Sequence, residues 1–253
     1  MSALLLALIA FACIFGGALL GLCIHSYLPD HHLSENGRDI VKLGAGLIAT
    51  LAALVLGLLV SSAKSSLDSI NSELTQDSAK VIVLDRALAA YGPETKEIRD
   101  LLRLRVESAI KRIWPEVETG NVTLETPEAA RGLEAIQEKL RELRPGNSSQ
   151  HQLQSQALQI VADLAQSRWL VIEQTQTALP PLFLVILIIW LSMLFACFGL
   201  LSPVNATVVV VLLMCALSVS TAIFLINEMN TPATGLIKVS SAPLRNALDH
   251  LGK

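Results

Sequence analysis

Four apolar runs, each about as long as the roughly 20 residues needed to cross a bilayer, constrain this chain more than any other feature. They cover residues 2–28, 43–63, 182–201 and 206–226. The first holds one ionisable side chain, His25, near its end, and the second holds none. Backbone amides inside hydrocarbon must be satisfied within the segment, so each run predicts a helix. Pro180 and Pro181 precede the third run and suit a helix start. Only Ser202, Pro203, Val204 and Asn205 separate the third from the fourth, which predicts a tight antiparallel hairpin. A secretory leader carries a basic start and a small-residue cleavage site. Here no Lys or Arg precedes Arg38, and Leu22 precedes Cys23. The first run therefore predicts a retained span.

The charge deficit is confined to these runs. Residues 64–180 carry fourteen of the nineteen Lys and Arg residues, and Lys238, Arg245 and Lys253 follow the fourth run. Arg38 and Lys42 alone lie between the first two. Basic residues are retained in cytoplasmic loops, and Lys64 abuts the second run. The expected topology places both termini and the middle segment in the cytoplasm. The expected divisions are 1–63 for spans one and two, 64–180 for a helical domain, 181–226 for spans three and four, and 227–253 for a C-terminal tail. A net charge of −3 gives no basis for nucleic acid binding.

The middle segment reads as helices throughout. Leu67, Ile70, Leu74, Val81, Leu84 and Leu88 extend the second span on a 3,4 spacing, with Asp77 interrupting one position. Tyr91, Gly92 and Pro93 stop it. Ile98, Leu101, Leu102, Val106, Ala109, Ile110 and Ile113 form one face of a second helix, which Pro115 ends. Thr126 and Pro127 start a third, with Leu133, Ile136, Leu140 and Leu143 as its stripe. A fourth, over about 149–177, buries Leu153, Ala157, Ile160, Val161, Leu164 and Val171. The glutamines around 150–159 read as its solvated face. The fold class is thus all-α: four transmembrane helices with a helical bundle inserted between spans two and three.

Nothing here resembles a reaction centre. There is no Gly-rich phosphate loop, nucleophile elbow or H-E-x-x-H pair. An enzyme is not expected, and no cofactor or metal. Cys13, Cys23, Cys197 and Cys215 lie in apolar runs without a C-x-x-C spacing and read as small packing residues. His25, Asp30, His31, His32 and Asp39 match no metal-site spacing and read as a polar loop. Glu228, beside Asn227 and Asn230, reads as an interfacial acid just past span four. Asp85 and Arg86 are a candidate buried pair.

The second span carries the most pointed signal. Thr50, Leu54, Gly57, Ser61, Lys64, Asp68, Asn71 and Thr75 recur at spacings of four and three, on one mildly polar face. Gly46, Ala49 and Ala53 form another, small enough for close helix approach. Hydroxyls, a lone apolar residue and charges at the mouth suit the wall of a pore, whose apolar constriction would gate it. The competing reading packs this stripe against span three, with its hydroxyls bonded to their own helix. No charge sits in mid-membrane, which argues against proton-coupled or voltage-driven transport.

Several stretches resemble the bestrophin-like domain family of bacterial membrane proteins. Residues 51–59 resemble its second span. Leu84, Asp85 and Arg86 match, as do Tyr91, Gly92, Pro93, Glu94 and Arg99. Further on come Phe195, Phe198, Gly199 and Leu200, then Pro203 and Asn205, Glu228 and Met229, Pro232 and Gly235, and Ser240, Ser241, Pro243, Leu244 and Arg245. After Glu228 and Met229 the family pattern of an acid, Pro and Phe gives way to Asn230, Pro232 and Ala233. The resemblance implies four spans per subunit, a cytoplasmic helical domain and a ring of subunits around one pore. The acidic calcium-binding cluster of the animal proteins is absent, so calcium gating is not implied.

The expectation is a homo-oligomeric ion channel, anions slightly favoured. Thr50, Leu54, Gly57 and Ser61 would line its path, with Lys64 at the cytoplasmic mouth. Its partners would be membrane lipid, further copies of itself and small inorganic ions. The alternative is a non-conducting membrane scaffold whose helical domain recruits a soluble protein.

Overall fold

A computed structural model describes residues 3–27, 35–114, 127–176, 181–230, 237 and 239–252. Among these the chain is helical, without strands. The helices are α1 (Ala3–Tyr27), α2 (Glu35–Tyr91), α3 (Lys96–Ile113), α4 (Pro127–Glu142), α5 (Ser148–Gln176), α6 (Pro181–Leu201), α7 (Ala206–Met229) and α8 (Ala242–His250). A single 3₁₀ turn, Pro93–Thr95, precedes α3. Four of the helices, α1, α2, α6 and α7, are long and apolar enough to cross a membrane.

The chain divides into two units. Residues 1–65 and 178–230 form the first, and residues 66–177 and 231–253 form the second. The C-terminal segment, expected as a separate tail, is therefore part of the second unit. Its α8 buries Leu244 and Ala247 in that unit's core, and Leu251 just beyond the helix joins them. The stripe is short and was masked in the sequence by the polar residues around it.

In the first unit α1 packs against both α6 and α7. Its buried residues are Ala3, Ala10, Ile14, Gly17, Ala18, Gly21 and Leu22, a stripe of mostly small side chains. The glycines decide how close α6 comes. A methyl group added at Gly17 would sit 2.5 Å from the Ser192 carbonyl oxygen. One at Gly21 would strike the Ala196 carbonyl, and one at Gly199 the Ala18 carbonyl. These helices touch backbone to backbone, the arrangement small residues permit in lipid. Gly46 was expected to serve this purpose, yet Gly44, Gly46 and Gly57 each face open space within the chain. The cysteines differ from expectation too: Cys13, Cys23 and Cys215 are exposed and Cys197 half-buried, all as free thiols.

The second unit is built like a water-soluble bundle. Ile98, Leu102, Val106 and Ile110 of α3 meet Ile136 and Leu140 of α4, Ala157, Val161 and Leu164 of α5, and Val81, Leu84 and Leu88 of α2. Two glutamines expected on a solvated face instead close the α4–α5 turn. Gln154 Nε2 donates to the carbonyls of Leu140 (2.7 Å) and Leu143 (3.0 Å), which α4 leaves unpaired at its end. Asn147 Oδ1 accepts from the Gln150 amide at 2.8 Å, and Gln150 Oε1 accepts from the Gly146 amide at 2.8 Å. This is a near relative of the reciprocal cap that starts many helices.

Candidate functional site

Helix α2 runs 57 residues without a break, about 85 Å at 1.5 Å per residue. No Gly or Pro lies between Gly57 and Gly92, so nothing in that stretch interrupts it. It starts at Glu35, earlier than the expected 43, and so takes in Asp39 and Lys42, which pair at 3.1 Å. Ala45, Ala52, Leu59, Ala63, Ile70, Val81, Leu84 and Leu88 make a buried seam along it. At 3.6 residues per turn, the expected pore-lining stripe lies roughly 150° from that seam. Thr50, Leu54, Gly57, Ser61, Lys64, Asp68, Asn71 and Thr75 are all exposed on the single chain. Leu54 stands 62% exposed in the middle of an apolar run. The alternative in which this stripe packs against the chain's own third span is thereby overturned. One part of it stands: Thr50 Oγ1 donates to Leu47 O at 2.8 Å, and Thr75 Oγ1 to Asn71 O at 2.9 Å. Lys64 and Asp68 each engage other groups of the chain.

A second constellation gathers where α2 ends. Asp85 is 1% exposed and takes Arg99 in a fork, Nε to Oδ1 at 2.7 Å and Nη2 to Oδ2 at 2.9 Å. The hydrogen bond, more than the charge alone, holds the Arg99 guanidinium above its usual pKa. Arg86, the expected partner, is exposed instead. Adjacent helical residues point about 100° apart and cannot pair well; that geometry was the available signal. Gly252 N also donates to Asp85 Oδ2 at 3.3 Å, and Arg103 Nη1 to Leu251 O at 3.3 Å, tying the end of α8 to α2 and α3.

The turn between α2 and α3 explains most of the remaining motif. Gly92 has φ +141°, a conformation side chains oppose, and a methyl group there would meet the Glu94 carboxylate. Pro93 opens the 3₁₀ turn. Thr95, fully buried, sets its hydroxyl 2.6 Å from Leu88 O and 2.8 Å from Gly92 O. The sequence reading missed Thr95, whose only signal is a hydroxyl after Gly-Pro. Tyr91 is buried and gives its carbonyl to Gln150 Nε2 at 3.0 Å. Asp85, Tyr91, Gly92, Pro93, Glu94 and Arg99 thus meet at one joint.

The other motif residues lie apart from it. Asn205 caps α7, its Oδ1 accepting from Val208 N at 2.9 Å. Glu228 does not follow the fourth helix as expected. It lies in the last turn of α7, buried, and engages other groups of the chain. Pro243 and Arg245 start α8. Pro232 and Gly235, like Asp30, His31 and His32, fall outside the described residues. His25, grouped with them earlier, holds Leu200 O at 2.8 Å through Nδ1, and no metal-binding group of three or more His, Cys, Asp or Glu side chains occurs among the described residues.

Comparison with known proteins agrees with this architecture. A family model described as the bestrophin-like domain matches residues 12–244. Crystal structures of single-substitution variants of a bacterial bestrophin homologue from Klebsiella pneumoniae superpose on the chain. Two give TM-scores of 0.63 at 16% identity, covering 95% of this chain and 99% of the other. A third gives 0.56 at 15%, covering 97% and 99%. At such identity the likeness speaks for the fold. Among curated proteins no relative matches significantly.

Proposed function

The chain belongs to the bestrophin-like domain family, and on that premise we propose that it is a homo-oligomeric ion channel of the bacterial inner membrane, with α2 of each copy facing a shared central axis. The carrying observation is the stripe from Thr50 to Thr75, exposed at all eight positions while the opposite side of the same helix is buried. Only 17% of the apolar window of α2 is buried within the chain, the lowest share of the four spans. A helix so exposed yet bearing Thr50, Gly57, Ser61 and Lys64 suits water and neighbouring copies better than lipid on that side. Leu54 would be the apolar constriction. The cytoplasmic placement of both termini and of the helical domain follows from the basic residues.

The slight preference for anions rests on Lys64, which would concentrate them at the mouth. Thr50 adds little to it, because its hydroxyl hydrogen is already given to Leu47 O. Folded protein reconstituted into planar bilayers is expected to conduct. In a salt gradient, Lys64→Glu is expected to move the reversal potential toward cations. Flat recordings across several salts, from protein shown to be oligomeric, would sink the proposal; an unmoved reversal potential would sink its anion part.

One observation favours the scaffold alternative. Val83, Leu104, Trp169 and Leu170 of the second unit are 47–63% exposed, an apolar set that a soluble partner would cover. In the channel reading, neighbouring copies cover it. Recovery of one stoichiometric partner together with absent conductance would decide for the scaffold.

A further inference from the structure

We propose that the second unit contains a binding site for a single acyl chain ending in a carboxylate. A cavity of about 490 Å³ opens between α3, α4 and α5, with α2 and α8 contributing to its wall. That volume lies within the roughly 300–1,000 Å³ of small-molecule sites. Val106, Ile136 and Leu164 line it and belong to the unit's core, so the cavity reaches into apolar packing. An apolar ligand seated there would add contacts to that packing.

The charge on the wall selects the other end of the ligand. Among the described residues, Arg105, Arg112 and Arg168 line the cavity against one carboxylate, Asp77. Arg105 and Arg112 are seven residues apart on α3 and so share a face. Ser108 and Ala109 lie between them and also line the cavity, leaving room that larger side chains would fill. Gly132 on α4 provides the third element. A methyl group there would lie 2.9 Å from Arg105 Cδ and Nε. The missing side chain is what lets the arginine lie across α4. All three arginines keep partners of their own in the chain, so an incoming carboxylate joins an existing network. Guanidinium is the side chain whose fork matches a carboxylate. Burial also pushes the Asp77 carboxyl above its usual range, outweighing Ser167 and Lys80. That reduces its repulsion of a second acid. A neutral chain would use the apolar wall but gain nothing from the positive charge beside it.

The test is photolabelling of the full-length protein in phosphatidylcholine nanodiscs with dodecanoate carrying a chain diazirine. Adducts are expected on the peptides covering 102–113 and 132–140. Excess dodecanoate should protect those peptides about tenfold better than dodecanol, since one charge-assisted contact is at stake. In the doubly substituted Arg105→Gln, Arg112→Gln protein, labelling there should fall about tenfold while the oligomer elutes unchanged. Should that variant misfold, the competition on the natural protein still decides. Adducts confined to α1, α6 and α7, equal protection by dodecanol, or undiminished labelling of a folded double variant would each overturn the site.

Discussion

The two units solve the packing problem in opposite ways. In the first, α1 and α6 meet through Gly17, Gly21 and Gly199, each lying against a carbonyl of the facing helix, while Leu4, Leu8, Leu20 and Leu182 face outward. In the second, Leu84, Leu88, Ile136 and Leu140 fill the middle, and most charged side chains, Asp85 excepted, lie outside. Hydrocarbon is no worse a neighbour for leucine than another leucine, so large apolar residues gain nothing by turning inward in a bilayer. Close van der Waals contact between backbones gains something there. In water the order reverses, because each buried leucine is worth about 1.5–3 kcal/mol.

Substitutions at glycine test that contrast most severely. Gly21→Leu must push α6 away from α1 and is expected to abolish the folded first unit, at a cost of at least about 3 kcal/mol. The measurement is monodispersity and thermal unfolding in detergent. Gly46→Leu, in open space within the chain, is expected to leave the subunit's own fold intact. If it breaks the oligomer instead, Gly46 marks a contact between copies.

The polar joint of the second unit comes next. Asp85→Asn leaves Arg99 without its carboxylate in a mostly buried setting and should cost about 3 kcal/mol. Hydrogen exchange should then rise in α3 and α8, which Asp85 ties to α2 through Arg99 and Gly252. Gly92→Ala should cost about 2 kcal/mol, because the +141° φ opposes any side chain. An unchanged unfolding midpoint for either would show that the joint is dispensable.

The smallest effect concerns pH. Asp77 lies outside the apolar runs, and burial, against Ser167 and Lys80, raises its pKa above 3.8. The folded chain therefore holds that proton to higher pH than the unfolded chain does. Its contribution to stability is full below the ordinary carboxylate range and is lost as pH rises through the folded value. Asp77→Asn should flatten that slope and raise the unfolding temperature at neutral pH. A variant with the parent's pH profile would show that burial does not tax this carboxylate.

How much of this was legible beforehand depends on range. The stripe of α3 was read correctly at Ile98, Leu102, Val106 and Ile110, because the 3.6-residue period is a local property. The end of α2 was legible from Gly92 and Pro93 for the same reason. The stripe from Thr50 to Thr75 was legible as a face, but whether that face was covered was not. Misreadings fell where a residue's partner is distant in sequence. Asp85 was paired with its neighbour Arg86 when its partner lies fourteen residues on. Gln150 and Gln154 were read as solvated although they serve the ends of other helices.

Hydropathy and period by themselves determined the helical class, the four spans and the apolar faces of α3, α4 and α5. These follow from each segment's dealings with its solvent, water or hydrocarbon, and need no knowledge of neighbours. The tertiary structure alone decided which glycines touch a backbone, that Arg99 rather than Arg86 holds Asp85, that α8 completes the second core, and that Arg105 lies across Gly132. Those are contacts between segments far apart in the chain, and their selection depends on shape complementarity that no local window contains.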